Sequence, residues 1–438
     1  MLKKLYKIAA FTGVAHISAL FSISVAARYV DSATLGTIGV IDSALLLATA
    51  IISFGLQVST TRNIAIHKEW EDFYSKAQSA RFTLSILLFL IGLIMYFFTK
   101  AQLYWVFVFS PIVALNGDYA LYGHGLAIKA SSISLVRVVI PSITLMLLSV
   151  YHSSNLILYY FLALFIGIAY AGISCAKTLN VKYVYSFNKG AFKLYLNNLK
   201  IGVATVSLTM MTSGLLYIAN SFYSLSTIGH LYPTFRVYLI LKGIRRIFIQ
   251  AFFKDIANAD LALRLDKLGI ICGFSLLTSV SIYPGAVSNV LYGSFTRETG
   301  TILIILSASS FLSFSMTSAE NQLLLKNKDS IYMKLFLYSA LISILTCIVF
   351  SKTLPEEIGI PVSILIGEIC FFLFSVKTLG GLSYYKDRLL FSLSLIWTLP
   401  LAYIPSLIIG DNIQALCMAT ILLGIANLLY NKKMLYEN

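Results

Sequence analysis

Long apolar runs alternate with short polar connectors along the whole chain. Runs long enough to cross about 30 Å of hydrocarbon at about 1.5 Å per residue stand at 8–28, 35–60, 82–99, 103–122, 132–150 and 155–176. A basic connector follows, and then runs at 201–221, 228–253, 268–291, 300–324, 333–351, 358–378, 389–408 and 412–431. The pattern predicts an all-α integral membrane protein of 12 to 14 transmembrane helices. It divides into an N-terminal six-helix lobe with its basic connector (1–200), a C-terminal six-helix lobe (201–380) and an additional C-terminal helix pair (381–438).

An internal repeat underlies the two lobes. Leu35-Gly-Thr-Ile-Gly39 returns as Leu225-Ser-Thr-Ile-Gly229, 190 positions later, each opening a long apolar helix. The same offset carries the connector 62–81 onto 252–271. Parallel repeats of this kind place a substrate path between the halves.

Composition agrees with a membrane protein: 12% of residues are charged, against about 25% in an average soluble domain. The net charge of +15 does not indicate nucleic acid, because the cations gather in connectors and not on one amphipathic face. Lys3, Lys4, Lys7, Arg62, Lys68, Lys76, Arg81, Lys177, Lys182, Lys189, Lys193, Lys200, Lys326, Lys328, Lys377, Lys386, Arg388, Lys432 and Lys433 fall on one side when alternate connectors are assigned inward. The opposite side holds Arg28, Lys100, Arg297 and Lys352. The positive-inside rule then puts both termini in the cytoplasm. Residues 1–28 read as a retained first helix, since no small-residue cleavage site leads into a soluble domain. The connector 177–200 is basic and aromatic, a composition suited either to a helix on an anionic leaflet or to a solvated loop that fixes topology.

Neither a metal nor a cofactor is indicated. The five cysteines lie inside apolar runs without ligand spacing, the five histidines are scattered, and there is no phosphate-binding glycine loop. Candidate chemistry lies instead in the run 228–253, which carries Arg236, Lys242, Arg245 and Arg246. One such charge at the centre of a bilayer helix costs about 2.5–3.5 kcal/mol on insertion scales. Four therefore require an aqueous cavity, a bound anion, or a shallow position from which Arg245 and Arg246 snorkel to the surface. Lys242 and Arg246 share an i, i+4 row with Gln250, Arg245 lies on the adjacent row, and Arg236 widens the face. A diphosphate suits such a face, because guanidinium groups bind its oxygens with paired hydrogen bonds. Sulfate, carboxylate or an anionic sugar also fits.

Among intramembrane acids, Glu368 lies midway along 358–378 and is a candidate either for proton coupling or for plain structural pairing, such as with an Arg of another helix. Asp42, Asp118 and Glu320 are further coupling candidates. His16 reads as a satisfied buried imidazole, and Arg137 as a snorkelling residue near a helix end.

Several stretches carry a family resemblance. Ala27-Arg28-Tyr-Val-Asp31, Leu35 to Gly39, Ser53-Phe-Gly-Leu56 and Thr61-Arg-Asn-Ile-Ala65 resemble the first two helices of Wzx-type polysaccharide flippases. These belong to the multidrug, oligosaccharidyl-lipid and polysaccharide exporter superfamily. Asp118-Tyr-Ala-Leu-Tyr-Gly123 and Ile228-Gly-His-Leu-Tyr232 with Arg236 continue the match over about residues 5 to 380. The resemblance implies a two-lobed, V-shaped bundle with a pseudo-twofold axis that alternates access. It implies transfer of undecaprenyl-diphosphate-linked O-antigen or other polysaccharide repeat units from the cytoplasmic to the periplasmic leaflet of a bacterial inner membrane. It adds Arg28 and Asp118 to the substrate-binding candidates, and membrane lipids, the pathway's polymerase and its chain-length regulator to the candidate partners.

Two departures stand out. Ala251-Phe-Phe253 replaces a proline often found near the end of the eighth helix, and the pair 389–431 exceeds the usual twelve helices. That pair resembles the extension in lipid II flippases, where it lines a lipid groove; lateral packing is the other reading. Two rival functions remain at this point. A membrane polysaccharide polymerase would call for a sizeable outer loop, and every outer loop here is short. A multidrug or organic-ion exporter would call for acids where the eighth run is basic.

Overall fold

A computed structural model of the chain describes residues 2–66, 69–181, 190–251, 258–326 and 328–430. Residues 182–189 of the basic connector, and 252–257 at the close of the eighth run, lie outside the described residues. All regular structure among the described residues is helical. Among the described residues ten helices are long and apolar enough to cross a membrane, and the chain is a multi-pass membrane protein.

Every apolar run is largely helical over its described residues, and several are broken by short non-helical turns. α1 (Leu2–Tyr29) is continuous, whereas the second run divides into α2 (Ser32–Ser53) and α3 (Leu56–Ile66). α4 (Trp70–Thr99) is continuous, and the fourth run falls into three pieces, α5 (Trp105–Val108), α6 (Ser110–Ala114) and α7 (Asp118–Gly123). α8 (Ala127–Val150) and α9 (Leu156–Leu179) close the first set. A short α10 (Ala191–Asn197) leads into α11 (Leu199–Met211) and α12 (Leu215–Ala219), the two parts of the seventh run. α13 (Leu225–Ala251) is the cation-bearing run, whose polar residues keep it outside the ten apolar helices.

The ninth run divides into α14 (Ala259–Ile282) and α15 (Pro284–Tyr292), and the tenth into α16 (Arg297–Ser315) and α17 (Ala319–Leu325). α18 (Asp329–Thr353) and α19 (Glu356–Leu379) are continuous. The chain closes with α20 (Gly381–Ser394), α21 (Leu399–Ile409) and α22 (Ile413–Tyr430).

Packing separates two compact units, Met1–Gly229 and His230–Asn438. In the first, α1 lies along α8, and Ile41, Ala48 and Ile52 of α2 pack with Phe107, Phe161 and Phe165. In the second, α16 packs between α14 and α19, while Phe336 of α18 stacks on Phe371 of α19 at 5.0 Å. The last three helices belong to this unit: Phe391 and Leu395 meet Ile270 and Ile271, and Ala415 and Ala419 meet Tyr283 and Ala286.

Breaks inside hydrocarbon need a partner for each released backbone group, and neighbouring helices supply them. After α2, Phe54 (φ 33°) and Gly55 (φ 77°) both take the left-handed conformation. A Cβ at Gly55 would stand 2.7 Å from the amide nitrogen of Gly202, so only glycine allows that approach. Between α11 and α12, Ser43 Oγ donates to the Ser213 carbonyl at 2.6 Å and accepts from the Tyr217 amide at 3.0 Å. Between α14 and α15, the Asp411 carboxylate accepts from the amides of Gly285 (3.1 Å) and Ala286 (3.0 Å). This carboxylate, from the turn joining α21 to α22, caps α15 where the helix dipole favours negative charge.

Candidate functional site

The second unit gathers four of the sequence candidates around α13. Pro233 lies inside this helix and supplies no N–H. Tyr292 satisfies the backbone nearby: its hydroxyl donates to the His230 carbonyl at 2.7 Å and bonds the Thr234 hydroxyl at 2.6 Å. Two to three turns further on, Lys242 and Arg245 occupy positions i and i+3, so both side chains leave α13 on neighbouring rows.

Lys242 Nζ pairs with Glu368 of α19 and donates to Ser313 Oγ of α16 at 2.6 Å. Tyr238, one turn before Lys242, donates its hydroxyl to the same Glu368 Oε1 at 2.9 Å. Glu368 is 1% exposed, and these two donors compensate a carboxylate that hydrocarbon alone would not tolerate. Arg245 forms an ion pair with Glu320 of α17 at 2.6 Å and donates to the Met316 carbonyl at 3.1 Å. It is buried, so it does not snorkel. Its Nε finds no acceptor among the described residues, which leaves one guanidinium donor unused.

The break between α16 and α17 is thus held by Arg245 on one flank. On the other, Asp266 of α14 accepts from the Ser318 amide (2.6 Å) and hydroxyl (2.7 Å). Arg388 of α20 neutralises Asp266 at 2.7 Å, donates to the Tyr384 carbonyl at 2.6 Å, and lies 3.8 Å from the Tyr384 ring centroid. Gln322 links Ser318 Oγ (2.9 Å) to the Tyr384 hydroxyl (3.1 Å).

The first unit has a parallel arrangement. Arg81 of α4 donates to the Asn116 carbonyl in the gap between α6 and α7, and to Gln78 Oε1 at 3.1 Å. Asp118, at the start of α7, takes a 3.4 Å hydrogen bond from Gln57 of α3 and lies 3.7 Å from Arg137 of α8. In each unit, then, a side chain of the long helix before the break holds the broken turn, and the acid beyond the break pairs with another helix. Arg137 has Asp118 and Ser134 as partners and needs no snorkelling account. Asp42 of α2 is buried and accepts from the Tyr160 hydroxyl at 2.7 Å.

The structure therefore joins Lys242 to Glu368 and Arg245 to Glu320, pairing two cations read as substrate ligands with two acids read as coupling groups. Arg236 is half-buried on α13, six residues before Lys242. Arg28 is exposed in the last turn of α1. Arg246 belongs to α13, and its side chain lies outside the described residues. Sequence reasoning missed Asp266 entirely and took Arg81 and Arg388 for topogenic connector charges, whereas both arginines are buried. Arg388 lies seven residues after the start of α20, which runs on into the first residues of the apolar run 389–408. Among the described residues no cluster of His, Cys, Asp and Glu fit for a metal occurs.

No protein-family model and no curated protein matches the chain. Solved structures do. The lipid II flippase MurJ in an inward closed conformation superposes with a TM-score of 0.72 at 16% identity, over 98% of this chain and 99% of that one. An inward-facing multidrug resistance MATE transporter of the MOP superfamily gives 0.62 at 13% identity, over 86% and 95%. The MATE multidrug transporter DinF-BH gives 0.55 at 16% identity, over 88% and 93%. The all-helical, two-lobed membrane fold expected from the apolar pattern is the fold this chain shares with them.

Proposed function

We propose that this chain is a transporter and not an enzyme: a flippase that carries a diphosphate-linked lipid oligosaccharide across the membrane. The carrying observation is the pair of cations on α13, Lys242 and Arg245, held by Glu368 and Glu320 within a fold shared with a lipid II flippase. Moving a charged sugar head through bare hydrocarbon is prohibitive. A polar path that accepts the head while the polyprenyl tail stays in lipid removes that barrier, and alternating access completes the transfer.

In this reading the substrate is an undecaprenyl-diphosphate-linked O-antigen or related polysaccharide repeat unit. It moves from the cytoplasmic to the periplasmic leaflet of a bacterial inner membrane, with both termini of the protein in the cytoplasm. Arg236, Arg246, Arg28 and Asp118 extend the substrate contacts, Asp42 joins Glu368 and Glu320 as a coupling group, and the pathway's polymerase and chain-length regulator take up the product. The test is the leaflet on which complete repeat units collect when the protein is depleted with polymerase and ligase intact. Cytoplasmic accumulation is expected; periplasmic accumulation would assign the chain to polymerisation.

The MATE likeness supports a second reading, export of drugs or organic ions. It predicts that depletion sensitises cells to cationic dyes while repeat units keep their normal distribution.

A further inference from the structure

We infer that Glu368 and Glu320 are internal stand-ins for the substrate's phosphate oxygens, carboxylates that hold Lys242 and Arg245 until a diphosphate displaces them. The inference rests on the proposed flippase reading and adds how the anion site is kept closed when empty.

The bonding at each carboxylate makes the exchange feasible. Glu368 takes two donors on a single oxygen, Lys242 Nζ and the Tyr238 hydroxyl. If Lys242 turns to an incoming phosphate, Tyr238 still donates to Glu368, so the buried carboxylate keeps a hydrogen bond. Lys242 in turn keeps Ser313 at 2.6 Å. On the other pair, Arg245 keeps the Met316 carbonyl at 3.1 Å when Glu320 is displaced, and the guanidinium N–H that Glu320 held becomes the donor to a phosphate oxygen.

Access differs between the two pairs. On the first pair the Lys242 side chain is 16% exposed and Glu368 1%, so an anion can reach the lysine without entering the carboxylate's place; on the second, Glu320 (12%) is more exposed than Arg245 (7%), so an anion reaches Arg245 by displacing the carboxylate. Lys242 and Arg245 leave the helix with Cβ atoms about 5–6 Å apart, so the two linked phosphates of a diphosphate can each take one cation. Without the acids, two adjacent cations would bind any cytoplasmic anion. With them, a ligand must replace two ion pairs together, which selects a diphosphate.

The experiment measures inorganic pyrophosphate binding to the full chain in lipid nanodiscs, with glycerol 1-phosphate as a monophosphate probe. Glu368→Gln is expected to tighten pyrophosphate binding about tenfold by removing the competing charge, and Lys242→Gln in the same chain is expected to cancel that gain. Tyr238→Phe is expected to weaken binding, because Glu368 then has no second donor and holds Lys242 harder. A purely structural cluster would shift Glu368→Gln and Tyr238→Phe in the same direction, and that result would overturn the exchange while leaving the flippase reading in place. Equal affinity for the monophosphate would overturn the selection of a diphosphate. Absence of pyrophosphate binding in the wild type and every variant would overturn the cation site, and with it the reading on which this inference rests.

Discussion

Gly36 and Gly229 stand backbone to backbone, each against the carbonyl oxygen one turn before the other. A Cβ at Gly36 would lie against the Leu225 carbonyl and 3.1 Å from the Gly229 amide nitrogen; one at Gly229 would lie against the Ser32 carbonyl and 2.9 Å from the Gly36 amide nitrogen. Both glycines belong to the repeated five-residue pattern, so the repeat marks a close helix crossing inside the first compact unit. Small residues at such crossings let helices pack in lipid, where no hydrophobic drive brings them together.

Gly229→Ala should therefore destabilise the protein by about 1–3 kcal/mol, the usual cost of overpacking, because the colliding atoms are backbone and cannot rotate away. Gly13→Ala in α1, where nothing lies within 4 Å of the new methyl, should be neutral or stabilising, since alanine favours helix by about 1 kcal/mol. Thermal unfolding of the two variants in one detergent checks the contrast.

Arg388→Ala should cost about 3–5 kcal/mol, because it leaves the fully buried Asp266 carboxylate without its cation. Removing both charges, as Arg388→Met with Asp266→Asn, should recover part of that loss, since an amide still offers Ser318 an acceptor. Denaturant unfolding of the single and double variants gives the comparison. A double variant no more stable than Arg388→Ala would show that the charge imbalance is not the cause.

Asp411→Ala removes the cap on the first amides of α15. A lost cap costs about 0.5–2 kcal/mol, and here it also frees the turn between α21 and α22. The expected result is faster amide exchange at Gly285 and Ala286, with exchange in α2 unchanged.

Arg236→Ala should lower translocation of repeat units about tenfold or more while membrane insertion stays normal, as expected for loss of a charged contact to a phosphate worth at least about 1.4 kcal/mol. Surface polysaccharide in a strain carrying the stably expressed variant is the readout. Normal polymer would remove Arg236 from the substrate path.

The helices are legible in the sequence because apolar length is a local property, and each run from 8–28 to 412–431 is helical apart from short breaks over its described residues. The partners that hold their breaks are not. Within 103–122 the pair Asn116-Gly117 is a local turn signal, but nothing there states that Arg81 on α4 supplies the donor that makes the break tolerable. The same holds for the Ser213 carbonyl and Ser43. Lys242 and Glu368 are each visible as intramembrane charges, but 126 positions separate them, and no local pattern encodes that pairing. Arg388 misleads for a different reason: just before an apolar run such as 389–408, a buried arginine and a snorkelling one have the same sequence environment.

The Asp266 and Arg388 pair also constrains how this sequence can drift. A descendant that loses Arg388 retains a carboxylate gripping the Ser318 turn with no counter-charge beside it. It must then lose the acid as well or give up the turn. Related chains should accordingly carry both charges at these two positions or neither, with mixed states rare and short-lived.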